Sequence, residues 1–434
     1  MRKIAVFVSL MVAACNGSTG MTVMPDEPKS DLPPPSVTEP MPPTVSPVPV
    51  PTVDPRCRIT NSFDIAILDA GLMGVQVAVS DVGALVAGYS SKRKQVEFVR
   101  LDRDGFIVGG MSAIPTPEWY FRVIAGKDDY FVIVQHPTGD PVMEQLFYHV
   151  KGVETRLVRR AKGITSFEVV SDGKGEFYSL EFTDAPSGTS VGSTNGGPLT
   201  DQPQSIFRIH QLISGRSTPD RVLHYERATR LSDAQMVGDR LSVLMTHGTD
   251  AFTAVLLYRM ELTGADRSDV QLNVSGQPGR YGLWPVVHSA TSRVTGNRVL
   301  ALPSRTAAFW VDDVINQAGG YNRSFHMSMM TERSEQVGPH SIEPIMVRNR
   351  SFVVGWGDRI AALKEAYDAD TRSVSLRVIG NDGATSETIP FYTDMERGRY
   401  VQSFDGRDGR FVIAEGFDLV SGRDGGRAQF INCK

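Results

Sequence analysis

Gly126-Lys127-Asp128-Asp129-Tyr130-Phe131-Val132-Ile133-Val134 is the stretch on which the fold turns. Its first half offers Gly and Asp, which tolerate the positive φ of tight β-turns. Its second half is a run of aromatic and β-branched residues that suits a half-buried pleated surface. Just upstream, Phe121-Arg122-Val123-Ile124 is a second short apolar strand, so the unit is strand, turn, strand.

Working outward, the same arrangement recurs. Apolar runs stand at Ala84–Ala87, Phe131–Val134, Phe177–Leu180, Leu241–Leu244, Val299–Leu302, Phe352–Gly355 and Phe411–Ala414. Turn signals precede them at Ser80–Gly83, Gly126–Asp129, Asp172–Gly175, Gly238–Arg240, Gly296–Arg298, Arg348–Arg350 and Gly406–Gly409. Further strands follow, as in Gln95 to Leu101, the turn Asp102-Arg103-Asp104-Gly105, and Phe106-Ile107-Val108. Long amphipathic helical patterns are absent. Ile360 to Tyr367 has helix-favouring composition, but its place in the repeat assigns it to a third strand.

Repeats of this length resemble the four-stranded units of β-propellers. The expected fold is therefore all-β, a seven-bladed β-propeller, with six or eight blades as neighbouring counts and tandem β-sandwiches as the competing architecture. WD dipeptides, kelch double glycines and sialidase-type Asp boxes are missing, so no propeller family is indicated. The last unit holds only three strands, Tyr400–Phe404, Phe411–Glu415 and Arg427–Cys433, while Arg58–Leu68 is a strand without a unit. Antiparallel pairing of these ends would close the ring and remove loose sheet edges. It would also place Cys57 beside Cys433, predicting a disulfide. In the chain-entropy model so long a loop contributes about 5–6 kcal/mol.

The N-terminus has a different character. Arg2 and Lys3 precede the apolar run Ile4–Ala14, which is too short to span a bilayer. Val12-Ala13-Ala14-Cys15 resembles the lipobox of bacterial lipoproteins, which implies lipidation at Cys15 and export to a disulfide-permissive compartment. Residues 1–14 are then signal peptide. Residues 15–56 are the lipidated cysteine and a tether with a dozen prolines and no aromatics, a composition that favours extended polyproline II. Fully extended, it reaches on the order of 100 Å. Residues 57–434 form the propeller. Asn16 is not the aspartate of the best-known inner-membrane retention signal, which points to the outer membrane.

Chemistry is less legible. The eight histidines form neither H-E-x-x-H nor an H-x-H pair, and nucleophile-elbow and Walker A patterns are missing. Asp102-Arg103-Asp104-Gly105 begins like a calcium loop but lacks the later bidentate acid, so it reads as a hairpin turn. No cofactor or metal is expected. The folded part carries a net charge of about −3 with no basic block, which argues against nucleic acid.

Polar or aromatic residues that interrupt the innermost strands are the candidates for an axial binding face: Trp119, Arg122, Glu168, Gln235, Trp284, His288, Glu343, Tyr400 and Gln402, with Gln76 in the same set. Each could equally line a wet channel, and the tryptophans could pack between blades. Two long segments, Thr183–Ser205 and Asp312–His340, read as loops, the second able to cover a pocket. The functional expectation is a lipid-anchored envelope protein displaying a binding or scaffolding module to a protein or carbohydrate partner. The alternatives are a hydrolase or lyase using Glu168, Glu343 and Arg122, and a structural subunit of an envelope assembly complex.

Overall fold

The computed structural model describes residues 56–65, 74–137, 143–184, 205–217, 221–223, 230–249, 252–263, 269–271, 283–289, 293–315, 321–331, 336–341, 346–347, 350–368, 371–380, 382–394, 399–417 and 426–434. The proposed signal and nearly all of the tether lie outside them. All described residues belong to one unit, Pro35–Lys434.

The chain enters through β1 (Cys57–Ile65), followed by the sheet β2 (Val75–Val79), β3 (Ala84–Ser90), β4 (Gln95–Leu101) and β5 (Ile107–Pro115). The next sheet is β6 (Phe121–Ala125), β7 (Asp129–Pro137), β8 (Met143–Lys151) and β9 (Glu154–Lys162). A third holds β10 (Ile164–Ser171), β11 (Phe177–Asp184), β12 (Ser205–Gln211) and β13 (Arg221–Leu223). A five-stranded sheet follows, with β14 (Arg230–Val237), β15 (Arg240–Thr249), β16 (Phe252–Thr263) and β17 (Asp269–Gln271), and with β18 (Leu283–Ser289) also paired to β16.

Then come β19 (Arg293–Ala301), β20 (Arg305–Ile315), β21 (Tyr321–Thr331) and β22 (Gln336–Ser341). A two-stranded hairpin, β23 (Met346–Val347) and β24 (Arg350–Ser351), leads to β25 (Val353–Trp356), β26 (Arg359–Asp368), β27 (Thr371–Ile379) and β28 (Thr385–Asp394). The last sheet is β29 (Arg399–Arg407), β30 (Arg410–Phe417) and β31 (Gly426–Cys433), completed by β1 on its outer edge.

This is a β-propeller. The innermost strands β2, β6, β10, β14, β19, β25 and β29 lie each against the next, and β29 lies against β2. Tandem sandwiches would not close in this way. The expectation of seven blades needs correction: among the described residues six sheets are four-stranded blades, the lower neighbouring count, and the sector between β13 and β19 holds a five-stranded sheet. The end-to-end closure is as expected. Cys57 stands opposite Cys433 in the β1–β31 ladder, and the two form a disulfide.

Packing occurs between blades, where each sheet buries one face against its neighbour. Between the sheets of β6–β9 and β10–β13, for instance, Phe131 and Phe177 meet at 4.6 Å between centroids, with Phe147 and Val169 in the same cluster. Full burial of such side chains contributes about 1.5–3 kcal/mol each.

Two sectors differ from the sequence reading by one strand. Gly296-Asn297-Arg298 is not a hairpin turn but a β-bulge inside β19. Gly and Asn suit bulges for the same reason that they suit turns. Val299–Ala301 therefore ends an innermost strand, and Leu300 and Leu302 line the axis. Likewise Arg350 belongs to the small β23–β24 pair, Val353–Gly355 lies on an innermost strand, and Ile360–Tyr367 is a second strand rather than a third. Asp312–His340 is not a loop over a pocket. It runs through β20, β21 and β22, with Met327, Met329 and Met330 buried. Residues 185–204 of the other long segment lie outside the described residues.

Candidate functional site

The innermost strands surround a cavity of about 730 Å³ on the axis. Its wall is built by a repeated local device. In β10, β14, β19 and β29 the ladder skips one residue, at Thr165, Ser232, Asn297 and Gln402. A bulge bends its strand and re-aims the residues beyond it. The residues that follow are Ser166, Asp233, Arg298 and Ser403, and all are polar.

Of these, Ser166, Asp233 and Ser403 reach the edge of the next blade, as do Gln235 and Asp405 two residues further on. Ser166 Oγ accepts from Leu231 N at 3.0 Å, and Asp233 Oδ2 accepts from Val299 N at 2.8 Å. Gln235 Oε1 accepts from Ala301 N at 2.5 Å. Ser403 Oγ and Asp405 Oδ2 accept from Val77 N and Val79 N at 3.0 and 2.8 Å. Gln76 does the same for β6: its Nε2 donates to Phe121 O at 2.6 Å, and its Oε1 accepts from Val123 N at 3.2 Å. An innermost strand has no fifth strand to pair with, and a buried backbone group left unpaired is costly. Polar side chains from the preceding blade satisfy that edge.

Arg122 and Glu168 join β6 to β10 differently. Arg122 Nη2 donates to Glu168 Oε2 at 2.5 Å, with both side chains buried. Burial opposes the guanidinium charge, but the Glu168 carboxylate outweighs it and the Arg122 pKa is raised. On the next two innermost strands Arg298 Nε lies 3.7 Å from Asp233 Oδ2. Burial pushes the Asp405 carboxyl up, partly offset by the Val79 N–H and by the charges of Arg298 and Arg407.

One end of the cavity is crossed by Arg407. Its Nε pairs with Asp81 Oδ1 at 2.6 Å, and its Nη1 donates to Gly126 O at 3.0 Å, so one side chain ties the turns of three blades. At the other end Trp119 is 50% exposed and meets Tyr120 edge-on at 6.3 Å.

The expected site residues thus divide. Trp119, Arg122, Glu168, Gln235 and Gln402 line the cavity, together with Gln76. Gln402 is a bulge residue, 8% exposed; its amide packs on Gly416, and neither amide atom has a hydrogen-bond partner. Tyr400 lies on β29 but not in the lining. Trp284 and His288 lie on β18, which pairs with β16 on the outer side of its sheet, not on an innermost strand; this follows from the one-strand slip at Gly296–Arg298. Glu343 lies outside the described residues. Asp233, Arg298, Asp405 and Arg407 were missed, although Asp233-x-Gln235 and Ser403-x-Asp405 show the alternating polarity that marks one strand face.

The turn Asp102–Gly105 is a hairpin, with Asp102 Oδ1 accepting from Asp104 N and Phe106 N at 2.9 Å each. Among the described residues no group of three or more His, Cys, Asp or Glu side chains is placed to hold a metal ion.

No protein-family model matches this chain, and no curated protein does. Solved structures do show likeness. The chain is similar to a subtype N10 neuraminidase-like protein of A/little yellow-shouldered bat/Guatemala, at 9% identity and TM-score 0.37 over 87% of this chain and 98% of that one. It is also similar to Penicillium chrysogenum alpha-L-arabinanase complexed with arabinobiose, at 9% identity and TM-score 0.38 over 86% and 98%. At these scores neither likeness carries an argument about activity.

Proposed function

We propose that this chain is a lipid-anchored lipoprotein of the bacterial envelope, held at the outer membrane through Cys15, whose propeller is a binding module for a protein or glycan partner. In this reading the five-stranded sheet takes the seventh place in the ring. The observation that carries it is Trp119, a half-exposed indole at the end of the axial cavity away from Arg407. Large aromatic rings bury much area at little entropic cost and stack on sugar rings or partner side chains alike.

Three of the five acids that line the cavity support binding over a hydrolase or lyase reading. Glu168 is held by Arg122, Asp233 by Val299 N and Asp405 by Val79 N, each occupied in joining blades. A general acid–base pair needs two titratable groups free to meet one substrate.

The test is cross-linking of the native, full-length chain in its own envelope, compared with Trp119→Ala. The partner recovered with the wild-type chain is expected to be lost from the variant, with the melting temperature unchanged. An identical set of cross-linked partners would remove Trp119, and this site with it, from the reading.

A further inference from the structure

The antiparallel order of each blade gives the ring two faces. Turns from first to second strand and from third to fourth strand emerge on one, here called the turn face; the remaining connections emerge on the other. Asp81, Gly126 and Gly409 lie on the turn face.

Two hairpins of neighbouring blades put an apolar surface there. Phe106, Ile107 and Val108 follow the β4–β5 turn, and Phe106 is 59% exposed. Val153, in the β8–β9 turn, is 77% exposed. The two are contiguous, since a Cβ built on Gly109 would stand 3.8 Å from Val153 Cγ1. Val82, in the β2–β3 turn, is exposed on the same face. Consecutive exposed apolar residues at a hairpin tip lose free energy to water unless something covers them.

What covers them is indicated by where the N-terminal segment arrives. β1 runs antiparallel to β31, and Cys433 N donates to Gly409 O, in the turn between β29 and β30. Cys57 therefore starts its strand on the turn face. From β1, Asn61 Nδ2 donates to Gly105 O, directly before Phe106. The segment leading back to Cys15 thus leaves from the face that carries the apolar hairpins.

From this geometry we infer that the turn face rests on the lipid surface, with Phe106, Ile107, Val108 and Val153 entering the headgroup–acyl boundary. The inference rests on the lipid-anchor reading for its orientation. Apolar tips seated at that boundary and a covalent acyl anchor act together, because one weak membrane contact is reversible and two hold. Partner recognition is left to the opposite face, where Trp119 lies.

The test separates the two readings. Intact mass of the native chain shows whether Cys15 carries acyl groups, and their absence ends the anchor reading alone. The full-length chain carrying Cys15→Ser, mixed with phosphatidylethanolamine–phosphatidylglycerol vesicles, is expected to partition weakly onto lipid. Phe106→Asp together with Val153→Asp should lower that partition roughly tenfold, with the melting temperature unchanged because both side chains are exposed. No partition, or partition indifferent to the aspartates, overturns the inference. A lipid-free dimer that the same aspartates dissolve assigns the surface to a second copy and overturns it as well.

Discussion

The wall of the axial cavity and the closure between β25–β28 and β29–β31 are both rich in charge, yet they are built on opposite principles. At the closure Glu415 is fully buried. It accepts from Arg427 Nε at 2.8 Å and Tyr392 OH at 2.5 Å, and it pairs with Arg372, whose Nη1 also donates to Arg399 O at 3.0 Å. One carboxylate there gathers several donors in a dry interface. Along the axis Gln76, Ser166, Asp233, Gln235, Ser403 and Asp405 instead each serve one or two backbone groups beside open space, and the Arg122–Glu168 pair is an exception. The difference shows that charge on the axis is not in itself a sign of chemistry. It is what a ring of sheet edges requires, and only groups left over from that task, such as Trp119, are available to a ligand.

The contrast can be broken at its strongest point first. Glu415→Ala takes from the buried Arg372 and Arg427 the carboxylate that both bind, leaving Arg372 with Glu365, and it should cost about 3–5 kcal/mol, read as a lowered denaturation midpoint. A loss below 1 kcal/mol would mean that this cluster is as solvated as the axial wall.

A second dry cluster sharpens the comparison through pH. Glu181 accepts from Arg159 Nη2 at 2.9 Å and from Ser179 Oγ at 2.6 Å, with His210 Nε2 at 3.3 Å. Burial works against its charge, but these partners prevail and lower its pKa from 4.5 to about 2. Because the folded value lies below the unfolded one, the stabilisation is complete above the unfolded pKa and lost as pH falls through the folded value. It is worth about 3 kcal/mol, and Glu181→Gln should flatten the acid limb of stability between about pH 5 and 2.

The smallest effect belongs to the axis. Gln235→Ala frees one backbone N–H, that of Ala301, and should cost about 1–2 kcal/mol while leaving the fold intact. A loss as large as that of Glu415→Ala would show that the wall is cooperative rather than a set of separate bridges.

Much of this architecture was legible because turn chemistry and strand composition agree along the chain. Gly126–Asp129, Asp172–Gly175 and Gly238–Arg240 do separate first from second strands, and the two cysteines do mark the closing strands. The reading slipped where Gly and Asn serve a bulge, at Gly296-Asn297, because a single residue pattern satisfies both backbone needs. That one slip moved Trp284 and His288 from an outer strand to the axis. It also hid Arg298, which sat inside the supposed turn. Asp405 and Arg407 were hidden likewise by the true turn that follows them. The edge-bonding role of Gln76 and Gln235 was not legible at all, since it depends on the height at which neighbouring blades meet.

The joint at the start of β1 has a mechanical consequence. A strand added at the outer edge of a sheet is the easiest to peel, and any pull transmitted through residues before Arg56 would act on its first residue. That residue is Cys57, cross-linked to the penultimate residue of the chain. Ahead of it stand the Arg56 contacts, where Arg56 O accepts from Lys434 N and the guanidinium pairs with Glu387; beyond them the load passes through a covalent bond into β31, so the ring can be tugged from its fastening point without unzipping the rest of the ladder.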